Sequence, residues 1–130
     1  MRVLPSLAAL MTAVAMLQAS GLMEVLADVI AAPANAIGFP PEVVPLALMR
    51  PISGSGSLAV LEDTLARCGT DSTAGLIASV LQSSTETTFY TLAVYYGAVG
   101  IKKTRHTLAA AAAGDLTGIV VSALAVRLLL

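Results

Sequence analysis

Two polar interruptions, RPISGSGS at residues 50–57 and QSSTETT at residues 82–88, break otherwise apolar runs and constrain this chain more than any other feature. In hydrocarbon, backbone outside a helix is tolerated only where protein buries it or where it lines a wet cavity, since each unpaired N–H or C=O costs several kcal/mol. Whether that rule applies depends on the solvent, and composition decides it. Of 130 residues, 57% are hydrophobic and 12% charged, with a mean hydropathy of +0.87, against about 25% charged residues in soluble domains. A soluble domain of this size could not cover such an interior with polar surface. The expected fold is an all-α integral membrane domain, a polytopic helical bundle with a re-entrant hairpin and a broken transmembrane helix, with residues 1–130 forming one unit.

The same composition excludes several functions. Seven Lys and Arg stand against eight Asp and Glu, a net charge of -1, so there is no basic footprint for nucleic acid. Cys68 is the only cysteine, which rules out an intrachain disulfide and any CxxC pair. Gly54-Ser55-Gly56-Ser57-Leu58-Ala59 spells a G-x-G-x-x-A fingerprint, but that motif works only after a strand in a βαβ unit, and no parallel sheet is expected here. There is no Walker A sequence, no G-x-S-x-G elbow, and no His paired with a carboxylate. No enzyme, cofactor or metal site is expected. His106, the only histidine, lies in a basic loop and reads as a solvated or headgroup-contacting residue.

Along the chain, residues 3–19 form an apolar run near the lower length limit for a spanning helix and above that of a signal-peptide core. Leu22, Val25, Leu26, Val29 and Ile30 recur at helical spacing with Glu24 and Asp28 opposite them, an amphipathic helix that continues the first span or lies at the interface. Residues 32–42, with three prolines and a glycine, read as a loop. Residues 43–49 are apolar but too short to cross a core of about 30 Å. Helix resumes over 58–66 with Ser57 as its expected N-cap, so residues 43–66 read as the re-entrant hairpin. Residues 72–101 as one helix would run to about 45 Å, so a break is expected within 82–88. Residues 108–126 form the cleanest span, with a single acid, Asp115.

Lys102, Lys103 and Arg105 form the dense basic cluster, which the positive-inside rule assigns to the cytoplasm together with Arg2. Both 24–42 and 67–71 then lie outside, as does the C-terminus, although Arg127 opposes that arrangement. Tyr90, Tyr95 and Tyr96 approach the cytoplasmic end of their helix as interface anchors or stacking groups.

Interrupted membrane helices offer half-helix N-termini and free backbone groups to polar ligands. Gly54 and Gly56 allow close backbone approach, and Ser53, Ser55 and Ser57 supply hydroxyls. A flexible connector would explain the same Gly and Ser residues but not Arg50, which is costly near a bilayer interior unless paired. Glu86, the acid in the other interruption, is its candidate partner, as a structural staple or as part of a ligand site. The candidate substrate-binding residues are Arg50, Ser53, Gly54, Ser55, Gly56, Thr85, Glu86 and Thr87. Asp115 is a candidate for a coupling ion or proton, unless hydroxyls of neighbouring helices merely solvate it.

VPLALMRP at 44–51 with SGSG at 53–56, STETTFY at 84–90, AVYYG at 93–97, VGIKKTRH at 99–106, and Asp115 with Gly118-Ile119 together carry a resemblance. The pattern resembles the spore maturation protein B family, with its nucleoside-recognition or Gate-type membrane domain. It covers nearly the whole chain, with Ser83 where the family has glycine and without the family's N-terminal hydrophobic segment. The resemblance implies likeness to the Gate regions of concentrative nucleoside transporters and of ferrous-iron transport protein B. It further implies a half-transporter of a small polar solute, working with a spore maturation protein A-like membrane partner or as a homo-oligomer. A link to spore core dehydration follows, although the family also occurs in bacteria that do not sporulate. Membrane lipid is the expected surrounding partner, in a bacterial cell membrane crossed more than once. The transport reading expects Glu86→Gln to abolish solute flux. The alternative, a structural subunit whose polar breaks and small residues at 109–118 meet a partner, expects the same change to dissociate the complex.

Overall fold

The structure, a computed structural model, describes residues 4–36 and 38–130 of the chain. These residues form α1 (Leu4–Ala19), α2 (Leu22–Ala36), a 3-10 turn (Pro41–Val43), α3 (Val44–Met49), α4 (Gly54–Cys68), α5 (Thr73–Ser84), α6 (Thr88–Val99) and α7 (Thr107–Leu129). Among the described residues there is no strand. The expected start of the first span at Val3 lies outside the described residues.

Only α7, with 23 residues, is by itself long and apolar enough to cross a bilayer among the described residues. At 1.5 Å per residue it spans about 34 Å, against a hydrocarbon core of about 30 Å. Met11–Leu17 and Leu22–Ala36 pass the same test together, bent by 65° at the Ser20–Gly21 junction. The continuation of the first span into the amphipathic segment is thus a sharp elbow, at which Gly21 takes a φ of 71°.

Three expectations need correction. The loop expected over 32–42 begins later, because α2 runs through Pro33 to Ala36. Pro33 removes one helical hydrogen bond, yet Ala34 one residue on is buried in the core, and that packing holds the turn. The helix then closes through Gly38 N–H to Asn35 O (2.9 Å) and Phe39 N–H to Ala34 O (2.8 Å), the paired bonds of a Schellman motif. Second, the N-cap of α4 is Ser53 rather than Ser57. Ser53 is extended at φ −144° and its Oγ accepts from Gly56 N–H, so residues 54–57 are the first helical turn and the interruption shrinks to Arg50–Ser53. Ser57 is fully buried and donates instead to Gly54 O at 2.8 Å. Third, the other break is shorter than 82–88, since α5 extends to Ser84 and α6 starts at Thr88.

The core gathers around α5, whose Ile77, Ala78 and Leu81 are fully buried against Val43 and Leu46. Helix α5 packs on α4 and on α7, α2 on α3, and α1 on α6. Hydroxyls share this interior with the apolar core, while many large apolar side chains lie on the outside. Ser57, Thr64 and Ser122 are buried, and Thr64 and Ser122 donate to carbonyls one turn back, Val60 O at 2.8 Å and Gly118 O at 2.6 Å. Leu116, Val120, Val121, Leu124, Leu128 and Leu129 of α7 face outward. Such a continuous apolar exterior is untenable in water and ordinary in lipid.

Candidate functional site

The two interruptions meet. Arg50, at the end of α3, is 9% exposed and reaches into the break between α5 and α6. Its Nη2 donates to Gln82 O at 3.0 Å and to Thr85 O, and its Nη1 donates to the Thr87 hydroxyl at 3.3 Å. The last carbonyls of α5 have no helical partner, and Nη2 of the guanidinium supplies donors to one of them, Gln82 O, and to the carbonyl of the cap residue Thr85. From the opposite direction, Phe89 N–H in the first turn of α6 donates to Pro51 O at 3.0 Å. Each break thus satisfies the backbone that the other leaves open, which is why both are tolerated in a membrane domain.

Glu86 plays a smaller part in this brace than expected. Its Oε2 lies 3.9 Å from Arg50 Nη2, at the outer limit of an ion pair, and its side chain is 82% exposed. The same oxygen accepts from Thr87 N–H at 3.1 Å, placing negative charge on the positive N-terminal end of α6. What holds Arg50 is therefore backbone carbonyl, with the carboxylate at the rim.

Beside the brace lies a cleft of about 230 Å³ lined by Ser53, Gly54, Ser55, Thr87 and Tyr90, with Ile52 below and Met11 and Val14 of α1 as its far wall. Both α4 and α6 begin at this cleft. A Cβ on Gly54 would come within 3.2 Å of the Thr87 hydroxyl oxygen, a contact tight enough that Thr87 would have to shift. Of the cleft hydroxyls, Ser53 caps α4 and Thr87 accepts from Arg50, whereas that of Ser55 has no hydrogen bond among the described residues. The eight candidate residues thus divide. Ser53, Gly54, Ser55 and Thr87 line the cleft. Arg50 and Thr85 form the brace behind it, Gly56 gives its N–H to the Ser53 cap, and Glu86 sits at the rim.

Asp115 is on the other side of the brace. Its Oδ2 accepts from the Thr88 hydroxyl at 2.6 Å, and it borders a void of about 10 Å³ shared with Arg50 and Thr85. Such a volume is close to the smallest that holds one water. Asp115→Ala is expected to leave the Thr88 hydroxyl without its acceptor and to cost about 1–2 kcal/mol. Asp115→Asn keeps an acceptor and should unfold near the wild-type temperature when thermal unfolding is followed in detergent.

Several contacts were not legible in the sequence. Ser84 and Ser122 hydroxyls lie 3.0 Å apart between α5 and α7, and a Cβ on Gly118 would come within 2.8 Å of the Thr85 methyl group. Thr88 could have been sought as a partner for Asp115, because it is a hydroxyl in the other polar run. Nothing marked the Pro51 carbonyl or the Gly118 contact. Tyr96 bonds the Thr107 hydroxyl at 2.6 Å and so ties the end of α6 to the start of α7, while Tyr90 reaches the cleft and Tyr95 faces outward.

An all-α fold, an apolar exterior, and two helix breaks braced across one another describe a helical membrane-associated domain. The family described as Gate, nucleoside recognition, matches residues 1–102, and the chain belongs to it. Over 127 residues, 98% of this chain and 71% of the relative, it is 45% identical to spore maturation protein B of Bacillus subtilis (strain 168), a match that extends over α7. No solved structure matches the chain. Among the described residues no group of His, Cys, Asp or Glu converges to hold a metal.

Proposed function

We propose that this chain is a half-transporter of a small, hydroxyl-rich, uncharged solute, bound in the cleft where α4 and α6 begin. The observation that carries this reading is the convergence of two helix N-termini on one cleft that holds an unengaged hydroxyl, Ser55. Free N–H groups at helix starts and a spare hydroxyl suit a polyol or the sugar of a nucleoside. Glu86 already occupies the positive end of α6, which disfavours an anionic solute. The family description, nucleoside recognition, supports the same substrate class.

The chain acts as one polytopic unit in the bacterial cell membrane, with residues 43–66 re-entrant and α5 and α6 as the halves of a broken span. Lys102, Lys103 and Arg105 face the cytoplasm. In this reading a homo-oligomer or a spore maturation protein A-like membrane partner completes the machine, as the likeness to spore maturation protein B suggests. Likeness to spore maturation protein B supports a role in spore core dehydration in hosts that sporulate. Asp115, hydrogen-bonded beside the brace, is the proton or coupling-ion site in this reading.

Reconstituted vesicles loaded with radiolabelled nucleosides and polyols test the proposal. Ser55→Ala removes one ligand hydrogen bond from an exposed position and should weaken uptake roughly threefold to tenfold at unchanged stability. Gly54→Val fills the cleft and should abolish uptake. Wild-type uptake in both variants sinks the reading. A second reading is favoured by one observation: Arg50 spends its donors on its own chain, as a purely structural brace would. In that case the breaks are an assembly surface, and Glu86→Gln dissociates a partner complex that carries no solute.

A further inference from the structure

A second concavity, larger than the cleft, is an open groove of about 530 Å³ on the far side of the brace. One wall is a stripe of α7 comprising Leu116, Ile119, Val120, Ala123, Leu124 and, at its end, Arg127. The other wall comes from the C-terminal turn of α2, the Gly38–Phe39 corner and α3. From Leu116 to Arg127 the stripe runs about 16 Å along the helix, close to half of a hydrocarbon core of about 30 Å. The groove is therefore one leaflet deep, apolar along its length, and ends in a single cation near the C-terminal end of the spanning helix.

Arg127 is exposed and donates to Gly38 O, which fixes its guanidinium at the groove mouth. A guanidinium carries five N–H donors, and one carbonyl leaves most of them unused. Among the described residues the ion pairs are Arg50 with Glu86 and Arg67 with Asp63, so no carboxylate neutralises Arg127.

We propose that this groove binds one acyl chain of an anionic phospholipid, whose phosphate headgroup pairs with Arg127. The occupant follows from the shape of the site and its charge. An acyl chain brings no backbone polar groups to a wall that cannot satisfy them, and its length matches the leaflet depth of the stripe. A headgroup with net negative charge is the partner that an uncompensated arginine at the interface selects. The bound chain would cover the uncovered side of α7 and tie it to α2. The inference rests on α7 lying in the bilayer and is independent of the solute cleft.

Native mass spectrometry of the full chain in mild detergent tests it, with palmitoyl-oleoyl phosphatidylglycerol and the matching phosphatidylcholine as competing probes. Wild type should retain phosphatidylglycerol about fivefold over phosphatidylcholine. Arg127→Gln should bring the two to parity, and Val120→Trp, at an exposed position that fills the groove, should reduce both several-fold. Equal retention by wild type, or a preference that survives Arg127→Gln, overturns the proposal. So does a dimer that disappears in Val120→Trp, which would make the groove an interface between two copies of the chain. Alkaline carbonate extraction separates the premises: release of wild type from membranes sinks the placement of α7, whereas retained protein without headgroup preference sinks the lipid site alone.

Discussion

Arg50→Leu is expected to lower stability by about 3 kcal/mol or more and to deplete the folded protein from membranes. The substitution removes the donor from the Gln82 and Thr85 carbonyls and from the Thr87 hydroxyl, all within the packed junction of α3, α5 and α6. A buried acceptor left without a partner costs about 1–3 kcal/mol, and here more than one is orphaned. Arg50→Lys should recover only part of the loss, because a shorter, point-like ammonium cannot serve the two carbonyls and the Thr87 hydroxyl together as Nη2 and Nη1 do. Glu86→Gln should change stability by at most about 1 kcal/mol, because the carboxylate is exposed and lies 3.9 Å from the guanidinium. Thermal unfolding in detergent, followed by circular dichroism, ranks the three variants. If Glu86→Gln proved as damaging as Arg50→Leu, the carboxylate rather than the carbonyls would hold the arginine.

Gly118→Leu should be nearly as damaging, at about 3 kcal/mol, by overpacking. The Thr85 methyl stands 2.8 Å from where a Cβ on Gly118 would be, so a side chain there must push α7 away from the α5–α6 break. Contacts on either side of Gly118 would loosen together: the Asp115 bond to Thr88 and the Ser122 contact with Ser84. Thr85→Ser removes the methyl group and should restore part of the loss in the double variant, a coupling that an additive pair would not show. Thermal unfolding of the two single variants and the double variant gives the coupling energy directly.

These expectations share one physical picture. In this domain a small apolar core is joined by buried polar groups that bond to backbone, and much of the remaining apolar surface is left for the bilayer. Arg50, Thr87, Ser57, Thr64 and Ser122 are inside, and Leu116, Val120, Val121, Leu124, Leu128 and Leu129 of α7 are outside. The helices approach through small residues and hydroxyls, the means of association that remain when lipid is as apolar as the side chains.

Composition and hydropathy alone determined the solvent, the all-helical class, the long apolar α7 and the presence of breaks near 50–57 and 82–88. These are local or additive properties, since a run of apolar residues and a cluster of Gly, Ser and Pro carry their meaning without neighbours. The motifs also carried the family, which the match to residues 1–102 established. Tertiary structure alone decided where each break begins and ends. It moved the α4 cap from Ser57 to Ser53, because Ser57 was needed inside the core and Ser53 was free to bond Gly56 N–H. It kept Pro33 helical, because Ala34 had a core to enter. It gave Arg50 to the carbonyls of Gln82 and Thr85 more than to Glu86, a choice hidden from sequence because every residue has a carbonyl and only the fold brings two unused ones within reach.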